Sequence, residues 1–322
     1  MKKKLTLKGV WQLIKEAGIG FSDDKVMKLS GSLAYFTIFS IGPMIIIIIF
    51  LADIFWGREA IEGSIYGQMK GFIGPDAALQ IQDIIKNASI SGQGNFTAII
   101  GIITLLVGAT GVFAEIQDSI NTIWGLKPKP KKGWVKMLLN RLLSFSVVVS
   151  LGFLLLVSLI INAIIEALIN RLMSVFPDGA VVVGYIVNIL ITFGVTTLLF
   201  GIIFMVLPDA KIKWKDVLIG AMATTVLFML GKFAITFYIG RSNIGSTYGA
   251  AGSLVVVLLW VYYSSVILYF GAEFTKAYAS SYGSKIHPNN YAVWIKQIEV
   301  EEEGGSLDQK DLKKEVQEDP NT

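Results

Sequence analysis

The sequence predicts an all-α, polytopic membrane protein with six transmembrane helices and both termini in the cytoplasm. Three observations carry that expectation. The 322 residues are 53% hydrophobic and only 16% charged, with a mean hydropathy of +0.62, whereas soluble domains carry about a quarter charged residues. The apolar residues are gathered into long runs, as a chain embedded in a bilayer requires. Lysine and arginine also alternate between rich and poor connections along the chain, and the rich side is the cytoplasmic one.

The N-terminal segment, 1–31, holds Lys2, Lys3, Lys4, Lys8, Lys15, Lys25 and Lys28. Its start resembles the charged region of a signal peptide. The stretch that follows is too polar to complete one, so no cleavage is expected. Within it, 8–17 reads as a short amphipathic helix on the inner leaflet, with Val10, Trp11, Leu13 and Ile14 flanked by Lys8 and Lys15. The first span is 32–56. It is interrupted by Ser40-Ile41-Gly42-Pro43, and proline removes one backbone hydrogen bond and bends a helix. Pro43 is therefore a candidate hinge, against the plainer reading of a packing kink. The outer loop 57–95 is poor in basic residues. In 75–90, Ile81, Ile84, Ile85 and Ala88 recur at helical spacing after Pro75, which predicts an interfacial helix on the outer face.

The second span, 96–119, leads into a basic loop with Lys127, Lys129, Lys131, Lys132, Lys136 and Arg141. Span three (142–165) is followed by a loop holding Arg171, and span four (181–207) by Lys211, Lys213 and Lys215. Spans five (217–240) and six (251–275) complete a membrane domain over 32–284. Trp124, Trp134 and Trp214 fall at expected inner boundaries and Trp56 at an outer one, the positions that interface-seeking indoles prefer. From 285 to 322 the composition turns acidic, with Gly304-Gly305 and Asp319-Pro320, and a solvated, largely disordered cytoplasmic tail is expected.

The residue inventory argues against catalysis. Cysteine is absent and His287 is the single histidine, so neither a converging metal-ligand set nor a Ser/His/Asp arrangement is built in the usual way. No Walker-type phosphate loop occurs. No cofactor is expected. The net charge of +4 follows membrane topology rather than a nucleic-acid footprint.

Candidate functional residues are the polar ones on spans, because helices in lipid associate through small and polar side chains. In span two, Thr104, Gly108, Gly111, Glu115, Asp118 and Thr122 follow one stripe; in span six, Tyr262, Ser265, Tyr269, Glu273 and Lys276 do. Gly220, Thr224 and Gly231 line up on span five. All three stripes are expected to turn inward. Glu115, Asp118, Tyr262, Tyr269 and Glu273 then form a candidate vestibule or substrate path at the inner end. The opposing reading makes the acids solvated helix ends paired with Arg141 or Lys276. Lys232 lies deeper, and Asp53 is the available acid on its side of the membrane, with Glu166 another; a Lys232–Asp53 ion pair is the candidate, against a snorkelling lysine or one on a substrate path.

Several stretches together carry a resemblance: LAYFTIFSIGPMIII (33–47), INTIWG (120–125), LPDAKIKWKDVLIGAMATTVLFMLGKFAITFYI (207–239) and YGAAGSLVVVLLWVYYSSVILYFGAEFTKAYA (248–279). They resemble the YihY/virulence factor BrkB family of bacterial inner-membrane proteins over nearly the whole chain except the tail. That resemblance implies a six-span cytoplasmic-membrane protein of no settled activity. Members have also been labelled ribonuclease BN, for which this sequence offers no residue set. Two readings follow: a transporter-like or lipid-handling protein acting on a lipid or small molecule, and a non-transporting assembly factor of the cell envelope. A ribonuclease is a distant third. The expected partner is the lipid bilayer, not nucleic acid, and the oligomeric state is left open.

Overall fold

Helix formation begins at Thr6, whose side-chain oxygen accepts a hydrogen bond from the Gly9 N–H at 3.2 Å. Such a cap satisfies one of the donors that a helix start leaves orphaned. The computed structural model describes residues 6–40, 79, 111–129, 177–241 and 252–295. Helix α1 runs Leu7–Asp23, longer at both ends than the amphipathic stretch 8–17. Lys25 takes a left-handed conformation (φ 52°), which breaks the helix. The chain turns there and re-enters helix α2 over 26–40. Pro43, Asp53, Arg141, span three and the tail beyond 295 lie outside the described residues, as does the segment 75–90 apart from the helical, exposed Leu79.

Helix α3 (111–123) is the inner end of the expected second span and stops at a turn where Gly125 has φ +67°, a value that L side chains avoid. Strand β1 follows, Leu126–Pro128. Helix α4 spans Pro177–Val206, strand β2 Ala210–Lys211, and helix α5 Trp214–Arg241. Helix α6, Gly252–Ser281, extends past the expected 251–275. At 1.5 Å per residue it is about 45 Å long, more than the roughly 30 Å of hydrocarbon it has to cross. Three stretches among the described residues are long and apolar enough to cross a membrane: Ile186–Val206, Trp214–Ile239 and Leu254–Ser281.

After α6 the chain forms two short strands. Residues 287–288 form β3 and 292–294 form β4. β4 pairs antiparallel with β1, and β3 with β2. The expected tail therefore begins with an ordered clasp. Backbone pairing across it joins three connections: the one after α3, the one after α4, and the one after α6.

The spanning helices pack through small residues. α5 and α6 run antiparallel, and each carries a glycine followed four residues later by threonine. A Cβ at Gly220 would collide with the Thr275 side chain, and one at Gly271 with Thr224. Each threonine also bonds back to its own helix, Thr224 Oγ1 to the Gly220 carbonyl and Thr275 Oγ1 to the Gly271 carbonyl, both at 2.7 Å. Its hydroxyl is thus satisfied while its bulk fills the opposing notch. Gly231 receives Tyr263 in the same manner. The span-five stripe faces α6, as its small residues led one to expect. α4 joins α5 partly through a bond from Thr197 Oγ1 to Thr225 Oγ1 at 3.1 Å. The main core gathers Val26, Leu33, Ile116, Ile120, Trp124, Phe204, Val217 and Tyr269 from five helices and the turn that follows α3.

Candidate functional site

The polar stripe of α6 brings Tyr269 and Glu273, one helical turn apart, into this core. Glu273 is 2% exposed and Tyr269 fully buried. Glu273 Oε2 lies 3.6 Å from Lys276 Nζ. The same ammonium is 3.2 Å from Asp24 Oδ2 in the turn between α1 and α2. One cation thus bridges two carboxylates. Gly20 covers Glu273 so closely that a Cβ there would sit 2.5 Å from Oε2. Leu13 and Ala17 of α1 pack on Phe274 and its neighbours, so α1 seals this end of α6 rather than lying free on the leaflet.

What marks the site is unmade hydrogen bonding. Glu273 Oε1, the Tyr269 hydroxyl and the hydroxyls of Ser30 and Ser119 are buried without a hydrogen-bond partner among the described residues. Ser119 and the Glu115 carboxylate, both on α3, neighbour the Tyr269 hydroxyl. Ser30 lies on the α2 face that carries Val26 and Leu33 into the same core. A buried polar atom left unsatisfied costs about 1–3 kcal/mol, so native proteins tolerate few of them.

The remaining candidates divide. Glu115 is half-buried beside Tyr269, but Asp118 and Thr122 are exposed. The span-two stripe therefore does not stay inward. The buried face at its inner end runs instead through Ile116, Ser119, Ile120 and Ile123, because the helix rotates its most apolar face to the core. Tyr262 is half-buried and points its hydroxyl at the Met27 sulfur, 3.3 Å away at the surface. It stands apart from the buried group. Lys232 is half-buried on α5; its expected partner Asp53 lies outside the described residues. Glu273 has Lys276 as its neighbour, as the solvated-end reading held, but it is enclosed rather than solvated. Trp124 is a further correction. It is no interfacial anchor but is 1% exposed, with its indole N–H donating to the Ala272 carbonyl at 3.1 Å. Trp214, by contrast, is 41% exposed at the start of α5.

A second polar group at the same end has every bond made. Asp209 is 1% exposed. Its carboxylate accepts from Asn121 Nδ2 at 3.0 Å and Gln117 Nε2 at 3.2 Å, and its N–H donates to Asn121 Oδ1 at 2.8 Å. Its carbonyl accepts from the Asn289 N–H at 3.0 Å. Burial and the nearby Asp209 carboxylate push the Tyr291 phenol above its usual value. Asp216, at the start of α5, accepts from the Ser284 N–H at 2.8 Å and the Ser284 hydroxyl at 2.6 Å. Asn121 of INTIWG and Asp209 of LPDAKIKW are thus joined by direct bonds.

Sequence reasoning missed Asp24, Gly20, Ser30 and Ser119. An acid within the basic N-terminal segment, and serines spaced with apolar residues at Val26-Ser30-Leu33 and Ile116-Ser119-Ile120, were the available signals.

The virulence factor BrkB family matches residues 19–292. The chain belongs to that family. It is similar to a UPF0761 membrane protein of Alteromonas mediterranea, 24% identical over 82% of this chain and 86% of the relative. A UPF0761 membrane protein of Psychromonas ingrahamii is 28% identical over 78% of this chain and 82% of its own. No solved structure matches the chain. With relatives named as membrane proteins and three helices able to cross a bilayer, this BrkB-family chain is a multi-pass membrane protein. The family match covers both polar groups, Asp24–Glu273 and Asn121–Asp209.

Proposed function

We propose that the protein is a transporter-like component of the bacterial cytoplasmic membrane, with six spans and both termini inside, that handles a cationic or amphiphilic small molecule. The observation that carries this reading is the set of four buried polar atoms, at Tyr269, Glu273, Ser119 and Ser30, that have no hydrogen-bond partner among the described residues. Their missing partners would be supplied by a solute, water or proton at another stage of a cycle. The carboxyl groups of Glu115 and Glu273 flank Tyr269 and offer oxygen acceptors, which suit a cation or a proton better than a free anion. The reading includes no catalytic step, no cofactor and no nucleic-acid partner. The topology is supported by the clasp, which gathers three of the expected cytoplasmic connections at one end. Cysteines placed at 127–132 and 211–215 are then shielded from impermeant thiol reagents in intact cells, while those at 85 and 243 are labelled. Labelling of the first pair reverses the orientation.

A second reading has its own observation. The Asp24–Lys276–Glu273 chain fastens α1 to α6, as an envelope assembly factor with no cargo would also use it. Purified protein in liposomes separates the two. Proton flux is followed with a trapped pH dye and lipid scrambling with a quenchable fluorescent phospholipid. Activity in the parent that is lost in Glu115→Gln/Glu273→Gln, with unchanged melting, supports transport. No activity in the parent leaves the assembly reading, and activity retained in the double variant removes the two glutamates from the transport path.

A further inference from the structure

A second site lies on another face of α6. α1, α5 and α6 enclose an open groove of about 580 Å³, within the size range of small-ligand sites. Gly18 and Phe21 of α1 close one end, Leu230 and Ala234 of α5 form one wall, and Val266 and Phe270 of α6 form the other. Both walls belong to helices able to cross the membrane, and Leu230 is 66% exposed. Among the described residues the groove is lined by apolar side chains and stays open on the side that Leu230 faces.

α1 continues the apolar surface away from the groove. Leu7, Trp11, Ile14 and Gly18 recur in steps of four, three and four, so they share one stripe. Trp11 is 71% exposed, and Leu7 and Ile14 are exposed as well. This stripe is distinct from the Leu13–Ala17 face that packs on α6, so α1 is held in place while presenting it. Lys8 and Lys15, both exposed, lie along its flank. A fixed apolar stripe edged by lysines, leading into an apolar groove, matches a ligand with an acyl chain and a negative headgroup.

We propose that the groove binds one acyl chain of an anionic phospholipid whose headgroup rests against Lys15 and Lys8. The site does not depend on the transport reading, since it shares no residue with the Tyr269–Glu273 group. Its occupant is the membrane's own anionic lipid rather than a second protein copy.

The test uses the full chain in nanodiscs containing phosphatidylglycerol with a photoactivatable acyl chain, with adducts mapped by mass spectrometry. Adducts are expected in 227–234 and 263–270, saturable, and competed better by unlabelled phosphatidylglycerol than by phosphatidylcholine. Nothing lies within 4 Å of a Cβ placed at Gly18, so Gly18→Trp fills the groove end without disturbing the fold and removes these adducts. Lys15→Glu keeps the adducts but lowers the preference for the anionic lipid by about fivefold. Adducts spread evenly over all lipid-facing helices, adducts that survive in a normally melting Gly18→Trp protein, or equal competition by phosphatidylcholine would overturn the site. So would disulfide linkage between two chains through Leu230→Cys, which would place a second copy in the groove.

Discussion

Two buried polar groups stand at the same end of this molecule, and they are built in opposite ways. Around Asp209, the side-chain amides of Gln117 and Asn121 meet the two carboxylate oxygens, and the backbone N–H and carbonyl are used as well. Around Tyr269 and Glu273 the burial is equal, yet four polar atoms find no partner among the described residues. Low dielectric strengthens a completed network and penalises an incomplete one by the same physics. A completed network is a lock. An incomplete one is either a defect or a place where something else binds, and its position between two acids and a lysine is what turns that choice into a functional question.

The largest effect should come from opening the lock. Asn121→Leu removes a donor and an acceptor from Asp209 and leaves a buried carboxylate short of bonds, at a cost of about 3 kcal/mol or more. The expected outcome is a steep fall in melting temperature in detergent and in folded yield. A near-normal melting curve would show that Gln117 and Tyr291 hold the junction without it, and the contrast between the two groups would weaken.

Next in size is the lid over Glu273. Gly20→Val places branched carbon where the carboxylate now lies, and such overpacking costs about 1–3 kcal/mol. α1 should lift from α6, read as faster proteolysis at Lys15 and Lys25 in liposomes opened to protease. Because the clasp does not involve α1, the β1–β4 and β2–β3 pairing should survive. Protection of Lys127 and Lys211 from the same protease checks that.

The smallest stability effect belongs to Tyr269→Phe. The substitution deletes a hydroxyl that has no partner in the resting structure, so melting should shift by no more than about 1 kcal/mol and in either direction. If the proposed cycle is right, flux or scrambling in liposomes falls nonetheless. A large loss of stability instead would mean that the hydroxyl is already bonded in the membrane and that the two polar groups are alike.

Much of the fold was legible in the sequence because its signals are local. The runs that became α4, α5 and α6 had to be long and apolar to span hydrocarbon, and Gly220, Thr224 and Gly231 shared a face by spacing alone. The site was legible in part. Tyr269 and Glu273 stood out as polar residues on an apolar helix, whereas Asp118, equally polar and on a similar stripe, proved exposed. Trp124 misled for a related reason: an indole at a span end serves as an anchor only if the bundle leaves it uncovered.

The sequence by itself determined that this protein lives in a membrane, where α4, α5 and α6 run, and which loops carry the charge, since each follows from a window of neighbouring residues meeting the bilayer's demands. Only the tertiary structure decided which polar groups meet. Asp24 reaches Lys276, Gly20 covers Glu273, and Asn121 closes on Asp209 because of how helices are rotated and docked. Those angles are set by side chains fitting across distant segments, such as Thr275 into the notch at Gly220, and no local window contains both sides of such a fit.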